Sequence, residues 1–259
     1  MSLTTGAPEI GSTLRTWRMH RRFSQQELSN RSLVSARHLS RVETGKARPT
    51  ATMILHLAEH LDVPLRDRNR LLLAGGYAPR YPDHHLDDSS IAVVMEGLRG
   101  LLDAHLPYPA LLLDTHWDIV DSNVAVDRLL DGCAPELLEP PVNVVRICLS
   151  PRGLAPRIRN LDQWATHLHR QVVHRADRTQ DPRHQRLAAE AARHIGTTPD
   201  RATDPGPVLT LELDVGGASL RFFSTSAQLT TATDVALEGL QLETFLPADA
   251  ATRRLFSAE

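Results

Sequence analysis

The stretch Phe23–Pro49, FSQQELSNRSLVSARHLSRVETGKARP, constrains this chain more than any other, because its residues specify two short helices and the turn between them. Ser24 can accept a hydrogen bond from a backbone N–H two or three residues on, and Glu27 stands where a capping box needs its carboxylate. A helix is therefore expected to begin at Ser24. Ser35 repeats the cap before ARHLSRVE, and Gly45 follows as a stop residue that tolerates positive φ. Within this second helix Leu39 and Val42 are three apart and can face a common core, while Arg37 and Arg41 are four apart and share another face.

Further helices are expected over 10–22, 50–61 and 64–74, with Pro64 suited to a first turn and Gly75 and Gly76 closing the bundle. The ordered set of SQQEL at Ser24–Leu28, SRVETGKARP at Ser40–Pro49 and Arg18 near the end of the first helix resembles the five-helix, lambda-repressor-like DNA-binding domain of Cro/Xre-type regulators. The resemblance covers residues 14–74. It implies that Gln25 and Thr44 touch phosphates and that Lys46 and Arg48 add charge along the DNA backbone. Ala36, Arg37 and Arg41 would meet base edges, with Ser35 and Ser40 on the same DNA-facing surface, and Arg18 and Glu43 would form a structural ion pair. Physical chemistry supports that division. Arginine offers a planar fork of donors to guanine O6 and N7, an alanine methyl can meet the thymine methyl, and lysine near a helix end serves phosphate without selecting sequence. Taken singly, each of these charged residues is an ordinary solvated one; the caps and the spacing set them apart. Leu33 stands where the resemblance puts a glycine, so either the backbone there is strained or the turn differs.

The chain of 259 residues is long enough for two domains, each with its own core. Residues 1–80 carry 13 Lys and Arg against 6 Asp and Glu, a net +7, and residues 81–259 carry 16 against 25, a net −9. The basic part is the one suited to a polyanion. The acidic remainder suits sensing or dimerisation. YAPRYPDHHLDDSS, rich in proline and polar residues, reads as the boundary, which gives domains over 1–80 and 90–259 with a linker over 81–89.

In the acidic part, an apolar stripe of Ile91, Val94, Leu98, Leu101 and Leu102 predicts a helix over 90–105. PALLLD and WDIVDSN, between Pro109 and Asn123, predict a strand hairpin turning at Asp114–His116. Helices are expected over 124–130, 144–149, 161–179 and 182–195. Strands are expected over 208–215 and 218–226, joined by Gly216 and Gly217, with a last strand over 239–245. Strands first, helices in the middle and strands last give an α+β domain whose antiparallel sheet closes over helices, a layout that resembles the PAS architecture. More specifically, PYPALLLD, WDIVDSN, LSPRGLAPRIRN and LETFLPADAATRRLF resemble the ligand-binding domain of MmyB-type regulators over most of residues 90–256. That resemblance implies a PAS-like pocket for a small apolar or fatty-acid-like molecule. Leu111, Leu113, Trp117, Phe222 and Phe245 are the candidates for its apolar lining. Asn123, Arg146 and Asn160 are the candidates for its polar end, because arginine can pair with a carboxylate and asparagine supplies donors at fixed geometry. Against this, buried Leu and Phe are ordinarily core, Asn123 could cap a helix, and Arg146 could sit in an internal ion pair.

Other function classes find little support. Two cysteines, Cys133 and Cys148, lack CxxC or zinc-ligand spacing, and no disulfide framework or metal is expected. His167, His169 and His174 crowd one expected helix but come with no HExxH and no convincing carboxylate partner, which favours an exposed face. No GxSxG elbow and no phosphate-binding glycine loop occurs, so no catalytic residues are assigned. No apolar run nears the roughly 20 residues a bilayer span needs, and the first residues lack a signal-peptide pattern. The expectation is a non-enzymatic, cytoplasmic regulator without a cofactor. Its partners would be a double-stranded DNA operator, a small apolar ligand and a second copy of itself, or, for the second domain, a protein partner in place of a ligand.

Overall fold

The computed structural model describes residues 7–179, 181–195 and 207–257, so the outermost residues of both expected domains lie outside the described part. The chain divides into two compact units. The first holds residues 1–85 with the short segments 177–179 and 231–238; the second holds 86–176, 180–230 and 239–259.

The first unit is built on five helices: α1 (Ala7–His20), α2 (Gln25–Ser32), α3 (Ala36–Glu43), α4 (Ala51–His60) and α5 (Leu65–Ala74). Ser24 and Glu27 form the reciprocal capping box, and Ser35 and Thr50 cap α3 and α4 through their hydroxyls. These side chains satisfy backbone donors that the first turn of a helix leaves unpaired. Leu14, Leu28, Leu39, Val42, Ile54 and Leu57 meet in one core, and burying each contributes about 1.5–3 kcal/mol. Gly11 lets α1 lie against the last carbonyls of α3, since a Cβ there would collide with the backbone oxygen of Val42. Pro64 brings no capping side chain to α5. Glu238, in the short helix over 235–238 that belongs to the same unit, accepts the Leu65 N–H at 2.8 Å instead.

The second unit begins with α6 (Ala92–Ala104), then β1 (Ala110–Leu113), β2 (Ile119–Ser122), α7 (Ala125–Leu130), α8 (Val144–Leu149), α9 (Leu161–Thr179) and α10 (Pro182–Ala192). β3 (Leu211–Val215) and β4 (Ala218–Gln228) follow. α11 (Val235–Glu238) is the short helix of the first unit, and β5 (Gln241–Pro247) and α12 (Ala250–Ser257) complete the chain. The sheet is antiparallel throughout, in the order β2-β1-β5-β4-β3. This is an α+β, PAS-like layout in which the first and last strands lie side by side at the centre. Central position explains why all four residues of β1 are buried rather than alternating. Gly216 and Gly217 both adopt positive φ, 56° and 81°, as a two-residue hairpin turn between β3 and β4 requires.

The expectations for α7 to α9 hold to within a residue. The final strand starts two residues later than expected and runs on to Pro247, and α12 follows where no helix was expected. Its start is set by Asp249, whose carboxylate accepts the Thr252 N–H at 2.7 Å.

Candidate DNA-reading face and ligand cavity

In the first unit, Leu33 resolves the question of the turn. It takes the left-handed conformation, φ 57° and ψ 17°, with its side chain 91% exposed. The turn between α2 and α3 thus keeps the backbone a glycine would adopt, at a cost of about 1–2 kcal/mol for a residue with a Cβ. Arg18 grips Glu43 with Nε and Nη2 at 2.6 and 2.8 Å and also donates to the Phe23 carbonyl. Its hydrogen bond to Glu43 raises its pKa against the opposing effect of burial. This bidentate pair ties the end of α1 to the end of α3 and fixes where α3 lies.

The side chains of Arg37 and Arg41 on that fixed helix, and of Lys46 in the turn just after it, are exposed and make no hydrogen bond or ion pair among the described residues. Ala36 opens the helix, Ser35 caps it by accepting the His38 N–H at 3.3 Å, and Ser40 is half-buried. Thr44 sits at the far end, exposed, its hydroxyl donating to the Ser40 carbonyl at 2.7 Å. Gln25 donates to Glu43 at 2.8 Å, which holds its amide beside the ion pair. Arg48 departs from the expectation of backbone charge: its guanidinium donates to the Gly75 carbonyl at 3.1 Å and lies 5.8 Å from the centre of the Tyr77 ring. It braces the end of α5.

In the second unit a cavity of about 70 Å³ opens between the sheet and helices α7 to α9. Leu111, Leu113, Trp117 and Phe245 line it. Phe222 does not. It is fully buried beneath, edge-on to Phe245 and Phe256. The three residues expected at the polar end are likewise elsewhere. Asn123 is 1% exposed and donates to the carbonyls of Leu102 and Tyr108, both at 2.9 Å, while accepting the Ala110 N–H. Arg146 forms a bidentate pair with Glu190 on a separate surface hollow. Asn160 donates to the Thr210 carbonyl and accepts the Glu212 N–H, anchoring the start of β3. For the two asparagines a buried or strand-edge backbone group needed the partner and the amide supplied it, whereas Arg146 is taken by the Glu190 carboxylate.

The polar groups that do reach the cavity were not among the candidates, and one of them, His167, was read as part of an exposed face. They are His167, Gln171, Glu243, Cys148 and Trp164. Gln171 Nε2 lies 2.8 Å from His167 Nε2, so the ring nitrogen accepts and Nδ1 carries the proton. Burial lowers the His167 pKa, which favours the neutral ring. Trp164 Nε1 is buried with no hydrogen-bond acceptor among the described residues. Burial pushes the Cys148 thiol up to about 12, with the neighbouring Trp164 N–H pulling the other way. The periodicity of α9 places Trp164, His167, Leu168 and Gln171 on one face, a signal that the three-histidine pattern obscured.

Residues 94–258 match the family described as the MmyB-like transcription regulator ligand binding domain, and residues 9–71 match a helix-turn-helix domain family. No curated protein matches the chain. Among solved structures, an RNA-binding light-oxygen-voltage receptor is similar at 16% identity over 96% of this chain, with a TM-score of 0.27, too low to support an argument; the chain spans 62% of that receptor's length. The family match covers more than half of the residues, and the two domains match in the order that the folds show. The chain belongs to the MmyB-like transcription regulator family, with a helix-turn-helix domain ahead of the matched ligand-binding domain.

Proposed function

We propose that this chain reads a specific operator through α3 and that a small, mainly apolar molecule seated in the cavity of the second unit controls that binding. Arg37 and Arg41 select bases, Lys46 and Thr44 contact phosphates, and Ser35, Ala36 and Ser40 lie along the same contact. The observation that carries this reading is the set of three cations, two on a capped, ion-pair-braced helix and one in the turn that follows it, with no partner among the described residues. As a homodimer the chain would place two such helices about 34–36 Å apart on a pseudo-palindrome.

For the ligand, the polar end of the cavity decides between head groups. Its acceptors are the Glu243 carboxylate, which takes a hydrogen bond from Gln241 at 2.9 Å, and the donors are the Trp164 indole and neutral groups. Among the described residues no lysine or arginine lines it. A fatty-acid carboxylate would therefore lie near a like charge without a cation to pair with, whereas an uncharged hydroxyl or amide head would find both donor and acceptor. The apolar body remains that of the resemblance; the head group is revised. The cavity is about half the ~150 Å³ that admits benzene, so a ligand must move side chains as it enters. The narrowness supports a second reading, in which the unit answers to a protein partner with its cavity filled by its own side chains.

Recovering and sequencing DNA bound by this chain in cells, then measuring affinity for that operator with long-chain alcohols, amides and matched acids, tests both parts. The ligand must favour one arrangement of the two units to change affinity. Unchanged operator affinity for every compound that binds would refute ligand control. Preference for acids over alcohols would refute the head-group assignment.

A further inference from the structure

A cluster separate from the cavity's polar end has no role in the reading above. It joins the β1–β2 turn to the start of α10. His116 Nε2 lies 2.8 Å from Asp181 Oδ2, and the ligating atoms of His116, Asp181 and His184 all fall within 4.8 Å of one another. We propose that these three side chains bind one divalent transition-metal ion of the zinc class.

The groups around them prepare all three as ligands. His184 Nε2 lies 2.7 Å from the Thr115 carbonyl, which can only accept, so Nε2 carries the proton and Nδ1 presents the lone pair. His116 Nδ1 lies 3.2 Å from the Thr115 hydroxyl and 3.5 Å from an Asp114 carboxylate oxygen, leaving Nε2 for the metal. Metal-binding histidines characteristically hold their other nitrogen against such a carbonyl or carboxylate. The two oxygens of Asp181 divide their work. Oδ1 accepts the Arg183 N–H at 2.7 Å and caps α10, while Oδ2 faces His116. The turn is held in turn by Asp114, whose Oδ1 accepts the N–H groups of His116 and Asp118 at 2.7 and 2.9 Å.

Two imidazoles and one carboxylate suit zinc and its neighbours rather than magnesium or calcium, which prefer oxygen. With bonds of about 2.0–2.2 Å, ligand atoms around such an ion stand roughly 3–3.5 Å apart, so the 2.8 Å His116–Asp181 pair opens slightly and separations of up to 4.8 Å close as the ion enters. Three protein ligands leave a fourth position for water. Two cations lie nearby, and each has its own partner: Arg183 pairs with Asp118 at 2.8 Å, and Arg175 donates to the Thr115 carbonyl at 3.1 Å. Asp114, Asp118 and Asp181 outnumber them. The ion would clamp the turn that carries Trp117, whose ring forms part of the cavity wall, onto α10.

The full chain, freed of metal by chelation and then equilibrated with Zn²⁺ or Co²⁺, tests the site by bound metal per chain and by the visible absorption of tetrahedral Co²⁺. We expect one equivalent, a higher Tm with Zn²⁺, and binding weakened at least about tenfold in His116→Ala and Asp181→Asn. Asparagine retains the cap of α10, so Asp181→Asn keeps the fold while removing a charged ligand. His174→Ala, on an exposed position of α9, should bind as the parent does. Less than a tenth of an equivalent on the parent chain, or undiminished binding in both variants, would overturn the site and leave a histidine shared between two aspartates. Neither result bears on DNA binding or on the apolar cavity.

Discussion

The two units treat their charged and polar side chains in opposite ways. Along α3 of the first and the turn after it, Arg37, Arg41 and Lys46 stand in solvent with no partner among the described residues. In the second, the side chains that looked best placed to meet a ligand are all engaged within the unit: Asn123 by three backbone groups, Asn160 by two, and Arg146 by Glu190. A polar side chain that already satisfies buried backbone contributes to stability and has little left to offer a ligand. One held out by a rigid frame has its donors available for something outside the chain.

That contrast can be broken most forcefully at Asn123. Asn123→Ala would leave two carbonyls and one N–H without their side-chain partner in a buried site, each worth about 1–3 kcal/mol. A fall of about 3 kcal/mol or more in unfolding free energy by urea titration is expected, and a loss below 1 kcal/mol would show that Asn123 is available for other work. Arg41→Ala should do the reverse. Its unfolding free energy should change by less than about 0.5 kcal/mol, while discrimination at one operator base pair falls by about 1–3 kcal/mol in competition binding. A smaller effect is expected from Leu33→Gly, which relieves a left-handed leucine and should raise stability by about 1 kcal/mol in the same titration. A decrease would mean that the exposed leucine makes a contact on DNA or on another chain.

The gentlest test concerns the cavity. With its pKa near 12, the Cys148 thiol is protonated at pH 8 and should react with iodoacetamide far more slowly than an exposed cysteine. An apolar ligand that fills the cavity should slow it further, read by mass spectrometry of the modified chain. A rate that no binding compound alters would place the ligand elsewhere.

Much of the first unit was legible because its signals are local. Ser24, Glu27, Ser35 and Thr50 act within three residues of themselves, and even the pairing of Arg18 with Glu43 followed from a resemblance carried by a contiguous motif. The α+β, PAS-like layout was legible from strands that come first and last in the domain with helices between them. The polar end of the cavity was not. His167 and Glu243 meet there from α9 and β5, far apart in sequence, and His167 is one of three histidines on α9, which masks its place on the apolar face. Asn123 and Asn160 were misread because a sequence does not say which backbone groups will be buried and in want of a partner. Asp181 and His184 stand three apart at the start of α10, but His116 lies 65 residues upstream and the hairpin turn meets that helix only in the folded chain.

The central claim is that the cations of α3 and of the turn after it divide into base readers and phosphate contacts. Binding of the parent chain, Arg37→Ala and Lys46→Ala to the recovered operator and to a random duplex, over a range of salt, tests it most directly. Arg37→Ala should lose affinity on the operator far more than on random DNA. Lys46→Ala should weaken both alike and reduce the salt slope by about 1. Equal loss on both duplexes for Arg37→Ala would contradict the claim.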